Sequence, residues 1–299
     1  MKILITGATG FLGSRLLRTL LHEGHDLTIL KRSCSDTRRI HDILSQIKAY
    51  NLDTCGSEQI FTTAGTFDTI IHTATCYGRA GESAAEILEA NVVFPLRLLQ
   101  AASSSCTTTF LNTDSSLAPN LNFYALSKKQ FRDWGEMFAR RGSIRFVNIK
   151  LEHFFGAGDD DSKFITHIIR SCLQNVPDLQ LTPGEQRRDF IHIEDVCSAY
   201  LLLLQKAVAC GESFQEFELG LGNPVTIREI VEMIHRLTGS STTLNFGGVP
   251  YRENEVMESG ADVSALAALG WTPKIRLPDG IRQTIELERT NQFALKGKD

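Results

Sequence analysis

Three side chains near the middle of the sequence have the types and spacing needed to deliver a proton to a carbonyl group. Tyr124 and Lys128 lie four residues apart in Tyr124-Ala-Leu-Ser-Lys128, which places them on one face of a helix, one turn apart. A tyrosine has an ordinary pKa near 10, so proton exchange near pH 7 requires about 4 kcal/mol of help for the phenolate. A neighbouring ammonium can supply much of this where water is excluded, and Ser115 can hold the carbonyl oxygen that receives the proton. The spacing predicts Ser115, Tyr124 and Lys128 as catalytic residues.

The amino-terminal segment predicts a turn that binds a dinucleotide. Lys2–Thr6 is a short apolar run typical of a buried parallel strand. Gly7, Gly10 and Gly13 follow at three-residue intervals, before leucines at helical spacing. The free N–H groups and positive dipole end of such a helix attract a pyrophosphate, and the glycines let the backbone approach it. An ordinary glycine-rich turn is the alternative, but the strand before and the helix after favour dinucleotide binding. We also expect cofactor contacts from Thr9, Phe11 and Leu12.

The end of the second predicted strand, residues 25–30, favours NADP over NAD. An NAD site carries an acidic residue roughly 20 residues beyond the glycines, where it binds the ribose 2′-hydroxyl. This chain has Lys31 and Arg32 there, 18 and 19 positions after Gly13. Two cations attract a 2′-phosphate, and arginine binds it with a planar fork. A basic strand end exposed to water is the alternative interpretation.

Further strands and a helix are predicted to bring the remaining site residues together. Residues 67–75 form an apolar run that ends in small residues, where we expect Thr73 and Ala74 to contact the cofactor. Residues 107–113 form a β-branched strand that leads to Ser115. The periodicity of residues 84–102 predicts a long helix between them. Asn91 is a poor helix former within it, so we expect it to make a specific hydrogen bond.

Composition and charge exclude several classes of protein. The chain has 299 residues, of which 42% are hydrophobic and 22% charged, values typical of a soluble globular protein. A net charge of −4 argues against a nucleic-acid partner. Seven cysteines without a CxxC pair predict reduced thiols and no metal site. Because no signal peptide or membrane-spanning run is present, we expect a cytoplasmic protein that does not bind membranes.

Together these residues resemble the extended short-chain dehydrogenase/reductase family over nearly the whole chain. The positions that match its glycine motif, its catalytic triad and an asparagine that orders its site are Gly7, Gly10, Gly13, Ser115, Tyr124, Lys128 and Asn91. Arg188 matches an arginine that grips the substrate diphosphate in nucleotide-sugar members, and Arg252 resembles a second one. His153 stands where most relatives carry an asparagine, as a candidate substrate contact. Leu269-Gly-Trp-Thr-Pro273 resembles the usual ending of the family.

The resemblance implies an α/β fold, in which a Rossmann doubly wound parallel sheet is joined to a smaller carboxyl-terminal substrate-binding domain. We expect the NAD(P)-binding domain over residues 1–155, with 189–221 returning to it. The substrate-binding domain is expected over 156–188 and 222–299. The resemblance also implies a homodimer formed through the helices that bear Asn91 and Tyr124.

Within this family the chain is most similar to the CDP-paratose and CDP-abequose synthases, in stretches that include Cys76-Tyr-Gly-Arg79. This resemblance implies NADPH-dependent reduction of the 4-keto group of a CDP-linked 3,6-dideoxyhexose, for O-antigen sugars of lipopolysaccharide. CDP-paratose is the predicted product, because the short spacing from Ser115 to Tyr124 is more similar to the paratose branch. Sugar dehydratases require an Asp-Glu pair after the catalytic residue, and Ser116 and Leu117 stand there instead. A redox-neutral epimerase that retains NAD and a non-catalytic NADP-sensing protein are the alternatives.

Overall fold

The computed structural model describes residues 1–206 and 212–296. It divides into two compact units, Met1–Leu151 with Cys197–Glu218 and Glu152–Val196 with Leu219–Asp299. Within the described ranges the strands are β1 (Lys2–Thr6), β2 (Asp26–Lys31), β3 (Lys48–Asn51), β4 (Thr69–His72), β5 (Thr109–Ser115), β6 (Arg145–Leu151), β7 (His153–Phe155), β8 (Asp178–Leu181), β9 (Arg187–Arg188), β10 (Phe190–His192), β11 (Phe214–Leu219), β12 (Val225–Thr226) and β13 (Thr243–Phe246). The α-helices are α1 (Phe11–His22), α2 (Leu52–Cys55), α3 (Ile60–Thr63), α4 (Ala84–Leu88), α5 (Phe94–Ser103), α6 (Phe123–Arg140), α7 (Phe164–Leu173), α8 (Ile193–Lys206), α9 (Ile227–Thr238), α10 (Ser264–Ala268) and α11 (Leu277–Lys296).

The first unit is built on one seven-stranded sheet in the order β11-β6-β5-β4-β1-β2-β3. Every pairing from β3 to β6 is parallel. The chain runs outward from β1 in one direction and from β4 in the other, so the connections reverse between these two strands. Phe110, Phe131 and Phe146 are fully buried in the core, as expected for a parallel sheet covered on both faces. The predicted doubly wound parallel sheet is confirmed.

The helix predicted over residues 84–102 is continuous in the structure, and its middle turn departs from α-helical hydrogen bonding. It begins at a capping box in which the Ser83 hydroxyl and the Glu86 carboxylate each accept from the other's backbone N–H. Glu89–Val93 then has π-helical hydrogen bonding, and α5 follows. Asn91 lies in this π segment. Such segments widen a helix locally and are frequent at functional sites.

The second unit has its own apolar core and short sheets. Ile168, Ile230 and Ile281, from three different helices, are fully or almost fully buried in this core. The short sheets pair β10 with β7, β12 with β9 and β13 with β8. The unit is therefore held together by helix packing, with only small sheets at its edges.

All three predicted domain boundaries differ from those in the structure, where the first unit ends at Leu151 and resumes over Cys197–Glu218. Residues 153–155, predicted to belong to the nucleotide-binding domain, form β7 of the second unit. Residues 190–192, predicted to return to the large sheet, form β10, which pairs with β7 from His153↔Phe190 to Phe155↔His192. The return to the first unit therefore begins at Cys197 instead of residue 189.

Three further features concern the described residues alone. No helix among them is long and apolar enough to cross a bilayer. Their histidines, cysteines and carboxylates form no group of three or more that could hold a metal ion. The six described cysteines are free thiols, and Cys210 lies outside the described ranges.

Candidate active site

The glycine turn after β1 fits closely against the end of β4. Gly7 has φ +74°, and a Cβ there would lie 2.5 Å from the Ala74 nitrogen and 2.6 Å from the Thr73 hydroxyl. A Cβ on Gly13 would lie 2.1 Å from the Gly7 carbonyl oxygen. Thr73 is itself fixed, since its hydroxyl donates to the Thr6 carbonyl over 2.8 Å. The structure thus brings the predicted residues Gly7, Gly13, Thr73 and Ala74 together at the point where the strand connections reverse.

This turn has the features that a dinucleotide pyrophosphate requires. Gly10 is the N-cap of α1 and has no side chain that could accept from the first N–H groups of the helix. These N–H groups can therefore donate to a bound anion. The space that a Cβ on Gly7 or Gly13 would need is already filled by backbone, so only glycine lets the turn close this tightly. Phe11 and Leu12 are buried in the first turn of α1, and Thr9 is partly exposed before it. The residues present therefore fit a nicotinamide dinucleotide.

Two cationic residues at the end of β2, Lys31 and Arg32, lie near hydrogen-bond acceptors from β3 and α2. Lys31 donates from Nζ to the Asn51 side chain at the end of β3, over 2.9 Å. The Asp53 carboxylate accepts from the Ser33 N–H over 2.5 Å. The Ser33 side chain, and next this N–H, hold the pKa of the Asp53 carboxyl below the ordinary value, with a smaller contribution from Arg32. Arg32 itself is exposed. The sequence analysis missed Asn51 and Asp53 because it did not predict β3.

Asn91 makes the specific hydrogen bonds that its place in a helix predicted. Its amide nitrogen donates to the Cys76 carbonyl over 2.8 Å and to the Ser127 hydroxyl over 2.9 Å, and its oxygen accepts from the Cys76 N–H over 2.7 Å. The side chain therefore joins the loop after β4 to α6, the helix that carries Tyr124 and Lys128. It acts here as a structural clamp within the site.

The predicted catalytic residues come from β5 and from the first two turns of α6. Ser115 is the last residue of β5. Tyr124 lies in the first turn of α6, which Asn122 caps by accepting from the Ala125 N–H over 2.8 Å. The Ser115 hydroxyl accepts from the Leu117 N–H over 3.2 Å and lies near enough to the Tyr124 phenol to lower its pKa. Lys128 is buried one turn further along the helix. The structure therefore brings the Ser115 and Tyr124 hydroxyl groups to the same part of the first unit.

Burial dominates the protonation of this site. It raises the pKa of the Tyr124 phenol well above the ordinary value, and the nearby Ser115 hydroxyl and Arg79 guanidinium only partly oppose the rise. Burial likewise lowers the pKa of Lys128, against the attraction of Asp114. The expected lowering of the Tyr124 pKa by Lys128 is thus not observed in the protein alone, because loss of water outweighs nearby charge. The phenol is protonated at neutral pH, which is the form that donates a proton.

A polar network behind Ser115 was missed by the sequence analysis. Buried Asp114 accepts from the Ser115 N–H over 2.7 Å and from the Asn148 amide over 2.8 Å. The same Asn148 amide donates to Glu216 over 3.0 Å, which pairs with Arg132 over 2.9 Å. The network fixes the Asp114 carboxylate beside Ser115. An acidic residue in a strand with no other charged residue was the available signal.

The loop after β4 also contributes side chains that had no predicted role. The Tyr77 ring packs against the Tyr124 ring with centroids 5.0 Å apart, and the Arg79 guanidinium lies 5.1 Å from the Tyr77 centroid. The sequence resemblance included Cys76-Tyr-Gly-Arg79, but ring contacts depend on how the loop folds and could not be inferred from it.

In the second unit, the structure brings Arg188 to the turn that carries Arg252. Arg188 donates to Glu255 over 2.6 Å, and the Glu255 N–H donates to the Arg252 carbonyl over 3.1 Å. Arg252 is exposed, whereas only 9% of Arg188 is exposed. His153 lies beside Glu152, with 3.3 Å between its Nδ1 and the carboxylate. Arg188 and His153 therefore each lie beside a carboxylate, that of Glu255 and that of Glu152 respectively.

Asp189, next to Arg188, has a structural role that the sequence analysis missed. Its carboxylate accepts from the Leu221, Gly222 and Ala261 N–H groups over 2.8 to 3.2 Å. Burial raises the pKa of this carboxyl, and the three hydrogen bonds oppose the rise. Asp189 therefore holds two loops of the second unit and is not available to a ligand.

Comparison with known proteins places these features in a family context. The sequence profile of the NAD dependent epimerase/dehydratase family matches residues 3–220. CDP-abequose synthases from Salmonella muenchen and Salmonella typhimurium are each 32% identical to this chain. The matches span 96% and 95% of this chain and 98% and 97% of theirs. UDP-glucose 4-epimerase from Thermotoga maritima has a TM-score of 0.86 at 21% identity, over 98% of this chain and all of that one. The Thermus thermophilus enzyme in complex with NAD has a TM-score of 0.82 at 21% identity, over 97% of this chain and 99% of that one.

Proposed function

We propose that this chain, which belongs to the NAD dependent epimerase/dehydratase family, is an NADPH-dependent reductase of the 4-keto group of a CDP-linked 3,6-dideoxyhexose. The observation that carries the proposal is the placement of Ser115, at the end of β5, close to a Tyr124 phenol whose pKa burial raises above its ordinary value. A hydroxyl pair of this kind can hold a ketone oxygen and protonate it as negative charge develops there. A bound reduced nicotinamide would supply the hydride.

Each catalytic residue has one task in this proposal. Ser115 donates a hydrogen bond to the ketone oxygen and orients it. Tyr124 donates its proton to the same oxygen. Lys128, buried one turn away, stabilises the phenolate that is left and binds the nicotinamide ribose, the role that the family resemblance gives it. Asp114 keeps a negative charge near Lys128 and favours its ammonium form.

The cofactor is proposed to lie along the first unit. The N–H groups after Gly10 would hold the pyrophosphate, and the turn residues Thr9, Phe11 and Leu12 would complete its cradle. Lys31 and Arg32 would bind the 2′-phosphate of NADP, which a site for NAD does not need. Asn91 would support this arrangement through its hydrogen bonds to Cys76 and Ser127, which join the loop after β4 to α6.

The substrate is proposed from the second unit and from the relatives. Arg188 and Arg252 supply the charge that a diphosphate needs, and His153 would contact the phosphate or the sugar. The two relatives named CDP-abequose synthase, at 32% identity, support CDP as the nucleotide. They favour CDP-abequose as the product, whereas the sequence analysis predicted its C4 epimer, CDP-paratose. The two epimers differ only in the face of C4 that receives the hydride.

A homodimer is part of the proposal. The outer face of α6 exposes Phe123, Leu126, Trp134 and Met137, with 43% to 62% of each side chain exposed. These residues lie three, eight and three positions apart, which places them on one face of the helix as an apolar stripe. A second copy of the chain that packs on this stripe would bury it.

Incubation of the purified chain with one ketone and each cofactor tests the proposal. We expect one NADPH to be oxidised for each CDP-4-keto-3,6-dideoxyglucose consumed, and NMR of the product identifies the C4 epimer. Conversion without net oxidation of cofactor would indicate the epimerase alternative instead. No turnover with CDP-, dTDP- or GDP-linked 4-keto sugars would favour the NADP-sensing alternative.

Two substitutions test the assigned roles. Tyr124→Phe is expected to reduce kcat by about 100-fold or more, because general acid catalysis contributes about 10²–10⁴-fold, while NADPH affinity changes little. Ser115→Ala should also reduce kcat strongly. Its neighbour Ser116 offers the matched control, and Ser116→Ala should leave kcat close to that of the wild type. Equal effects of the two serine substitutions would contradict the assignment of Ser115.

A further inference from the structure

The loop that follows β4 is fixed in place on both sides of Tyr77. Asn91 binds the N–H and the carbonyl of Cys76, over 2.7 and 2.8 Å. Gly78 has φ +69°, and a Cβ there would lie 2.7 Å from the Ile87 side chain. Gly78 therefore packs closely against Ile87 in a conformation that glycine adopts readily, and the Asn91 hydrogen bonds hold the backbone just before Tyr77.

Arg79, Tyr77 and Tyr124 form a continuous stack that runs from solvent to the phenol of Tyr124, a partly buried residue. The Arg79 guanidinium lies 5.1 Å from the Tyr77 ring centroid, within the range of a cation–π interaction. The Tyr77 ring lies 5.0 Å from the Tyr124 ring at an interplanar angle of 38°, as in favourable aromatic pairs. Arg79 is exposed, and Tyr77 is 36% exposed. The stack therefore covers Tyr124 from the solvent side.

We propose that Tyr77 and Arg79 are positioning residues for Tyr124: the Tyr77 ring, held by the Arg79 guanidinium, fixes the Tyr124 phenol beside Ser115 and covers it from water. The inference rests on the proposed function for its consequence, which is that the proton of Tyr124 goes to the bound ketone. The contacts themselves do not depend on which ketone is reduced.

The two residues act on the Tyr124 phenol in opposite directions. The charged and titratable groups that face it are Tyr77 and Arg79 from the loop, Asp114 from β5 and Lys128 from its own helix. Burial is the largest contribution to the raised pKa of Tyr124, Tyr77 adds to it, and Arg79 lowers it. Removing the Tyr77 ring admits water and should bring the pKa of Tyr124 down. Removing the Arg79 charge should raise it further.

Steady-state kinetics with Tyr77→Ala, Tyr77→Phe and Arg79→Gln tests the effect on catalysis. Tyr77→Ala should lower kcat about tenfold or more and leave the NADPH Kd within twofold of the wild type. It should also bring an alkaline fall in kcat, because a phenolate cannot donate a proton. Tyr77→Phe keeps the ring and should retain most of kcat. Arg79→Gln should lower kcat without creating the alkaline fall, and Arg141→Gln, a change at an exposed arginine at the end of α6, is the control.

A direct titration of Tyr124 separates this inference from the proposed function. Phenolate absorbance is followed against pH without substrate, and the curve of the matching Tyr124→Phe protein is subtracted in each background. The inference is supported if Tyr124 ionises at lower pH in Tyr77→Ala than in the wild type. It is overturned if the two proteins titrate alike, or if Tyr77→Ala has the kcat and pH profile of the wild type. A wild-type protein that reduces no keto sugar contradicts the proposed function alone, because this titration still reports the stack.

Discussion

Replacing Gly13 with alanine is expected to abolish tight NADPH binding, because the added methyl group has no space. Its Cβ would lie 2.1 Å from the Gly7 oxygen and 2.7 Å from the Gly7 carbon. Both contacts are with backbone, so the start of α1 must move from the turn by about 1 Å. Overpacking of this kind costs about 1–3 kcal/mol of stability. The N–H groups proposed to hold the pyrophosphate move with it, and each lost hydrogen bond to a charged group weakens binding by about 1.5–3 kcal/mol.

Loss of one such bond corresponds to a rise in Kd of about 10- to 150-fold. Titration of intrinsic or NADPH fluorescence measures this Kd, and urea unfolding measures the cost in stability. Gly24→Ala is the matched control, because Gly24 lies just beyond the same helix at φ +77° with no atom within 4 Å of its Cβ. It should lower stability by about 1–2 kcal/mol through backbone strain and leave Kd unchanged. Binding by Gly13→Ala within twofold of the wild type would refute the reasoning, and so would equal weakening in Gly24→Ala.

Three further outcomes follow from the charges, the buried carboxylate and the apolar stripe. Arg32→Ala should weaken NADPH binding about tenfold or more and leave NAD binding unchanged, since a guanidinium–phosphate bond is worth about 1.5–3 kcal/mol; an equal loss for both cofactors in fluorescence titrations would contradict the assignment. Asp189→Ala leaves three N–H groups without their acceptor and should lower the free energy of unfolding by about 3 kcal/mol or more, measured with urea, whereas Asp189→Asn should cost less. Trp134→Glu places a charge in the stripe on α6 and should convert a dimer into a monomer by light scattering, whereas an unchanged mass would exclude this face as the interface.

Local patterns were sufficient to predict the elements that are proposed to bind the cofactor. The apolar run Lys2–Thr6 and the spacing of the three glycines predict a strand followed by a tight turn, and the structure has both. The spacing of Tyr124 and Lys128 likewise placed them in one helix. β3 was not predicted because it is a polar edge strand with half of its residues exposed, so it lacks the apolar pattern of a buried strand.

The remaining differences come from contacts between distant parts of the chain. The apolar segment Phe190–His192 looks like a strand of the large sheet, and only its pairing with His153–Phe155 places it in the second unit. The protonation of Tyr124 was expected from one neighbour four residues away. It depends instead on the sum of burial, Tyr77, Asp114 and Arg79, and no sequence spacing reports that sum.

Transfer of deuterium from the reduced cofactor to the sugar tests the central claim most directly. The purified chain is incubated with CDP-4-keto-3,6-dideoxyglucose and NADPH that carries deuterium at C4 of the nicotinamide, and the product is examined by NMR and mass spectrometry. We predict one deuterium at C4 of the sugar for each NADPH oxidised, and no transfer by Tyr124→Phe. A product without deuterium, or unimpaired transfer by Tyr124→Phe, would contradict the account.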